Sequence, residues 1–383
     1  MNKRVCWAFL LIVAVSGCTS SSDRVTFPTA AAPTVSSTPV HTALPPVSPA
    51  PSPSAASVPS TETIATGLPV PWGLAFLPDG TALVTLRDQG EVLHVTKGSK
   101  PVSVGRVPAV VPDGEAGLLG IAVSPTFAAD RLVFVYLTSR DDNRVIRMTF
   151  NGSSLKPVGT GVIVKGIAKA GNHDGGRLAF GPDGYLYIST GDAGQREAAQ
   201  DKESLNGKIL RVTTSGAPAP GNPFPGSRVW SLGHRNVQGL AWDKAGRMYA
   251  SEFGQDTWDE LNRIEPGRNY GWPIVEGIAH HLGFVDPLTQ WATVDASPSG
   301  IAMGPDGAVY MAALRGRSLW RIPIDSKGKT GSPHRLLRER YGRLRTVVTA
   351  PDSRLWLFTS NTFRGTPNPG DDQILALRLP VQP

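Results

Sequence analysis

The sequence predicts an all-β protein: a six-bladed β-propeller of four-stranded antiparallel blades. Three observations predict it. The same short pattern occurs six times, in which a small residue opens an apolar run, a Pro/Asp/Gly-type turn follows, and a second apolar run closes the unit. Equivalent positions (Phe76, Val123, Phe180, Trp242, Met303 and Thr349) stand 46 to 62 residues apart, which leaves room for two more strands per copy; a four-stranded sheet repeated at such a period is a propeller blade. No segment keeps a helical period over about a dozen residues.

The first element is not part of the propeller. Residues 1–18 read as a secretory signal, with Lys3 and Arg4 followed by an apolar stretch from Val5 to Val15 that is shorter than the roughly 20 residues of a membrane span. It closes on Val-Ser-Gly-Cys, ending at Cys18, a pattern that resembles a bacterial lipobox and implies cleavage before Cys18 and lipidation on it; ordinary signal cleavage near the same point is the alternative. The only other cysteine is Cys6, inside the signal, so the folded domain has no disulfide, no thiol nucleophile and no cysteine-ligated metal. Residues 19–60 are dominated by Ser, Thr, Pro, Ala and Val with almost no charge. Such a stretch buries too little surface to offset its conformational entropy and is expected to be a disordered tether.

Residues 61–383 are expected to hold all six blades and no second domain. The inner strands begin near Pro71, Leu118, Gly175, Val237, Pro298 and Leu344. The second strands are Leu83–Leu86, Leu132–Leu137, Tyr185–Thr190, Met248–Ser251, Val309–Ala312 and Leu355–Thr359, each short, aliphatic or aromatic, and preceded by turn residues. Pro-Asp-Gly at Pro78, Pro182 and Pro305 is a turn with a mechanism: proline presets φ, aspartate bonds nearby backbone, and glycine tolerates positive φ. Arg196 to Asn206 is expected to be a loop with one helical turn. The net charge is +7, but the basic residues are dispersed along strands and turns in an exported chain. That excludes nucleic acid as the expected partner and favours an acidic small molecule held by a few arginines.

Four segments break the blade pattern. They are GNHDGGR (Gly171–Arg177), GHRNVQG (Gly233–Gly239), the long SEFGQDTWDELNRIEPGRNYGWP (Ser251–Pro273) and YGRLRTV (Tyr341–Val347). Three of them immediately precede an inner strand, so they converge on one end of the channel. Together with GEAGLLGIAVSP from Gly114, they resemble the soluble pyrroloquinoline quinone (PQQ)-dependent sugar dehydrogenases, also called the glucose/sorbosone or aldose sugar dehydrogenase family. The resemblance runs from Pro71 to Leu377 with the motifs in the expected order.

The resemblance implies roles that the residue chemistry fits. His173 is the expected general base that takes the sugar hydroxyl proton, since an imidazole titrates near neutral pH. Asn172, a cofactor contact beside it, stands where some members carry an aspartate. Arg235 is expected to stabilise charge developing on the quinone oxygen, with Asn236 a neighbouring cofactor contact. Arg343 and Arg345 are two apart, so on an extended segment they share a face and suit the carboxylates of PQQ, a tricarboxylate. Arg315 falls where some members have a cofactor-binding lysine. Glu115 stands where some relatives carry a glutamine, and a carboxylate beside an anionic cofactor must be paired or protonated. The carbonyls of Gly254 and Gln255 are the implied ligands of a calcium ion (Ca2+) that also binds PQQ, and Glu260 with the carbonyl of Tyr270 implies a second, structural calcium.

The activity this implies is oxidation of an aldose at its anomeric hydroxyl to a lactone, with an external electron acceptor reoxidising the cofactor and a lipid anchor as the only membrane contact. A calcium-dependent propeller lactonase and a non-enzymatic binding propeller keep the same fold. The first needs carboxylate and amide ligands on the channel axis and leaves the arginines unexplained. The second is expected to lack His173 or Arg235.

Overall fold

In the computed structural model of the protein, residues 59–380 are described. The signal reading at 1–18 and all but the last two residues of the tether reading at 19–60 lie outside the described residues. The first strand, Ser60–Ala65, begins at the last of those two.

The six sheets each hold four antiparallel strands. Their inner strands are Pro71–Phe76, Leu118–Val123, Leu178–Phe180, Val237–Trp242, Pro298–Met303 and Leu344–Thr349, matching the six copies in order. Their second strands fall on the six expected runs, from Ala82–Leu86 to Leu355–Thr359. The fold is therefore the predicted six-bladed propeller. Ring closure was not legible beforehand. The last blade takes its outermost strand from the start of the described residues, where Ser60–Ala65 pairs antiparallel with Ile374–Arg378.

Apolar side chains concentrate between blades. Six clusters of buried residues lie between neighbouring sheets; one holds Leu83 and Val92 against Val135 and Met148, another Tyr187 and Ile209 against Met248 and Ala250. Near the axis the blades approach too closely for side chains. A Cβ at Gly73 would lie 2.7 Å from the Leu119 carbonyl oxygen, and one at Gly120 2.2 Å from that of Gly176. This close approach explains the small residue near the start of each copy. At the opposite end the turn aspartates do more than turn. Asp183 accepts from Tyr187 Oη at 2.9 Å and Arg211 Nε at 2.8 Å, tying three strands of one blade, and Asp306 repeats this with Tyr310 and Arg321.

The expected helical turn is a 3-10 turn at Arg196–Ala199. The loop carrying it is fastened by Lys208, a fully buried lysine whose ammonium donates to the carbonyls of Ala198, Ala199 and Asn206.

Candidate functional site

The loops that enter the inner strands surround a polar cavity of about 480 Å3 at one end of the channel. His173, Arg235, Asn236, Arg343 and Arg345 line it, as do Glu115, Gly254, Gln255 and Arg315. Segments from five of the blades thus meet as expected. Asn172 does not join them: it is exposed and outside the lining, because its neighbour takes the inward position. Glu260 and Tyr270 are not in the cavity's lining; with Glu252 and Glu276 they line an adjoining void of about 10 Å3, which shares Arg235, Phe253 and Gly254 with the cavity. A second cavity of about 400 Å3, lined by Phe76, Phe180, Trp242 and Met303, opens at the other end of the channel.

His173 is held in a set position. Its backbone has φ 57°, the left-handed region that non-glycine residues seldom adopt. The amide of Ala193 donates to its carbonyl at 3.2 Å. The same carbonyl presses on Gly191, where a Cβ would lie 1.7 Å away. Its ring Nδ1 bonds Asp192 Oδ1 at 2.8 Å. Asp192 is fully buried and accepts two further bonds, from Gly194 N–H and from Trp272 Nε1, each at 2.8 Å. Burial alone would raise its carboxyl, but these donors outweigh burial and leave it below the ordinary carboxylate range. An ionised carboxylate only accepts, so Nδ1 carries the proton and Nε2 keeps its lone pair. Asp192 carries no motif that marks it in the sequence and sits in an unremarkable strand end, STGDAG; Trp272 lies near the end of the long Ser251–Pro273 segment, but nothing there marks it as a partner of Asp192.

Glu115 meets the condition set for it. Its Oε1 accepts from Arg364 Nη1 at 2.7 Å and its Oε2 from the His173 amide at 3.3 Å. Arg364, 249 residues away in sequence, also lines the cavity.

The arginines define the electrostatics. Arg235 donates through Nε and Nη2 to Gln255 Oε1, at 3.0 and 2.7 Å, and through Nη1 to the Phe253 carbonyl at 3.2 Å. Its own amide donates to Glu252, which also holds His234 Nδ1 at 2.8 Å. Arg345 is buried and makes only long bonds, to Gln238 Oε1 at 3.3 Å and Ser360 Oγ at 3.4 Å. Burial, then the charges of Arg87 and Arg343, push its guanidinium down to about 9. Burial also lowers Arg343, whose Nε has no partner among the described residues. Among the described residues, none of Arg235, Arg343 and Arg345 forms an ion pair with a carboxylate. Buried charge without a directly paired counter-charge is costly, so the cavity suits an anion.

The turn from Phe253 to Trp258 supplies backbone oxygens. Gly254 and Gln255 line the cavity. Among the described residues, their carbonyls accept no backbone hydrogen bond. Two oxygens free of a strand ladder and facing a polar cavity suit a hard cation. Among the described residues, no group of three or more His, Cys, Asp and Glu side chains is arranged to hold a metal.

The chain is 31% identical over 338 residues to an aldose sugar dehydrogenase, YliI, of Escherichia coli K12, covering 76% of this chain and 87% of that protein. It is 33% identical over 261 residues to quinoprotein glucose dehydrogenase B of Acinetobacter calcoaceticus, covering 58% of this chain and 54% of that one. Among solved structures, the PQQ-bound aldose sugar dehydrogenase of Streptomyces coelicolor superposes with a TM-score of 0.80 at 52% identity, covering 83% of this chain and 98% of that one. The sequence model described as Glucose / Sorbosone dehydrogenase matches residues 68–365. The chain therefore belongs to the glucose/sorbosone dehydrogenase family.

Proposed function

We propose that this protein is an exported, PQQ-dependent aldose dehydrogenase that oxidises sugars at the anomeric hydroxyl to lactones. The observation that carries the reading is the trio Arg235, Arg343 and Arg345, cationic and without carboxylate partners, around a cavity that also holds a histidine with a free Nε2. A planar tricarboxylate answers those charges through paired guanidinium bonds. The lining is cationic where a lactonase needs carboxylates on the axis.

When bound, PQQ would supply the hydride acceptor and its calcium a Lewis acid. The chain's own residues do the rest. Arg343 and Arg345 fix the cofactor's acidic edge. Arg235, held by Gln255, presents a cation where oxygen charge develops. The carbonyls of Gly254 and Gln255 would hold the cofactor's calcium, and Glu260 with the Tyr270 carbonyl a second ion. His173 Nε2 takes the anomeric hydroxyl proton, and Asp192 on Nδ1 stabilises the imidazolium that forms. An external acceptor would take up the two electrons. The lipobox-like end at Cys18 and the tether that follows support attachment to the outer face of a bacterial membrane.

The test is spectroscopic. Purified protein mixed with PQQ and calcium takes up one quinone per chain, and the bound band bleaches on adding an aldose. A protein that binds no PQQ yet hydrolyses lactones refutes the reading.

A further inference from the structure

The turn Phe253–Trp258 is wired in one direction. Four consecutive amides, of Gln255, Asp256, Thr257 and Trp258, all donate to a single oxygen, Glu276 Oε1, at 2.9, 3.3, 3.0 and 2.9 Å. The preceding amide, of Gly254, donates to Asp259 Oδ1 at 3.0 Å. In a trans peptide the carbonyl points opposite to the N–H of the same unit. Gathering these amides on carboxylates therefore turns the carbonyls of Phe253, Gly254 and Gln255 the other way. The Phe253 carbonyl marks that direction, because it accepts from Arg235 Nη1 in the polar cavity. The next two carbonyls in line are those of Gly254 and Gln255.

We propose that Glu276 is the positioning residue for the cation site: it aims the Gly254 and Gln255 carbonyls into the cavity and strengthens them as ligands. The proposal rests on the calcium reading above. Its second half follows from electrostatics. An anion behind each N–H polarises the peptide and puts more negative charge on its oxygen, as chains of hydrogen bonds do in a low dielectric. Glu276 thus does for a carbonyl ligand what an outer carboxylate does for a metal-bound histidine.

The packing leaves little freedom. A Cβ on Gly254 would lie 2.6 Å from Glu276 Oε1 and 1.9 Å from the Trp258 carbonyl oxygen. The amide following Glu276, that of Gly277, donates to Glu260 Oε1 at 2.7 Å. Glu276 is thereby anchored to the residue implied in the second calcium site. Nothing in the sequence marks it, since it lies beyond the end of the long motif, in WPIVEG.

The test is the calcium concentration at which metal-stripped protein takes up PQQ, followed by the cofactor's absorbance and not by turnover. Glu276→Gln keeps an acceptor oxygen and removes the charge; Glu276→Ala removes both. The calcium midpoint is expected to rise in the order wild type, Gln, Ala, reaching about 10–100-fold in the alanine variant, the usual cost of an outer-shell change. Affinity for PQQ at saturating calcium stays at the wild-type value, which a general loss of structure would not allow. Should the alanine variant fail to fold, the glutamine variant decides. Uptake by wild type that ignores calcium refutes the calcium reading itself, and this proposal with it. A calcium-dependent wild type with unmoved midpoints in the variants overturns the role of Glu276 alone. A fall in PQQ affinity at saturating calcium overturns it too.

Discussion

Replacing Asp192 by Asn tests how the base is held, and the structure sets the size of the effect. Asp192 Oδ1 accepts from both His173 Nδ1 and the Gly194 amide, whereas Oδ2 accepts only from Trp272 Nε1. An asparagine has one oxygen to offer. With its amide nitrogen at the Oδ1 position it opposes the Gly194 donor and inverts the histidine tautomer. With its nitrogen at the Oδ2 position it opposes the Trp272 donor alone. The second orientation breaks one contact instead of two, so Nδ1 keeps its proton and Nε2 remains a base. What is lost is the negative charge facing the imidazolium. A hydrogen bond to a charged group contributes about 1.5–3 kcal/mol against about 0.5–1.5 for a neutral one. The difference, about 1–2 kcal/mol, corresponds to roughly a 5–30-fold fall in kcat, far short of the ~10⁴-fold that tautomer inversion costs in a Ser-His-Asp triad. The assay is dye-linked aldose oxidation at saturating PQQ and calcium, with kcat and KM resolved. Unchanged kcat refutes a working Asp192–His173 pair. A fall near 10⁴-fold refutes the argument that Gly194 and Trp272 decide the orientation.

Asp174, buried beside the base, has one oxygen without a partner and a carboxyl pushed up to about 7, chiefly by burial. The unfolded chain releases that proton near pH 3.9, so between about pH 4 and 7 the folded state binds one proton more and stability falls as pH rises, by up to about 1.4 kcal/mol per unit. Asp174→Asn is expected to flatten that slope in urea unfolding series at pH 5, 6 and 7, and an identical slope in the variant contradicts the assignment. Removing residues 1–58 is expected to leave thermal stability and PQQ uptake unchanged. Removing 1–66 deletes the ring-closing strand and exposes the edge of Ile374–Arg378; soluble, cooperatively unfolding protein from that deletion counts against ring closure as a requirement.

The repeat was legible because each inner strand needs the same things: a small residue where backbones touch, apolar residues for the gaps between blades, and a turn. Gly73, the 2.7 Å approach at Leu119 and the Pro-Asp-Gly turns are that logic seen from both sides. Outer strands obey weaker constraints. The longest, Leu155–Ile167, shifts register three times against its neighbour and has no clean alternation to read. Ring closure joins the two ends of the domain, which local patterns cannot report. At the site, His173, Arg235, Arg343 and Arg345 lie in loops whose composition breaks the blade pattern, and that departure is the signal. Asp192 and Glu276 act on those residues from positions that look like an ordinary strand end and loop, and Trp272, though inside the long motif, reaches Asp192 across 80 residues. The Glu115–Arg364 pair was legible only as a condition, because its partner comes from the other end of the domain.

Arg345→Met tests the account's central claim, that the buried arginines are there for an anion and not for the fold. Two readings on one variant suffice: unfolding stability of the cofactor-free protein, and PQQ affinity at saturating calcium. Removing an unpaired buried charge is expected to raise stability, by up to about 1–4 kcal/mol on the precedent of buried ionic groups replaced by apolar ones. PQQ binding is expected to weaken by about 30-fold or more, since truncating one partner of a buried charge pair costs about 2–5 kcal/mol. A variant that is less stable but binds PQQ as tightly as wild type would make Arg345 a structural residue and contradict the account.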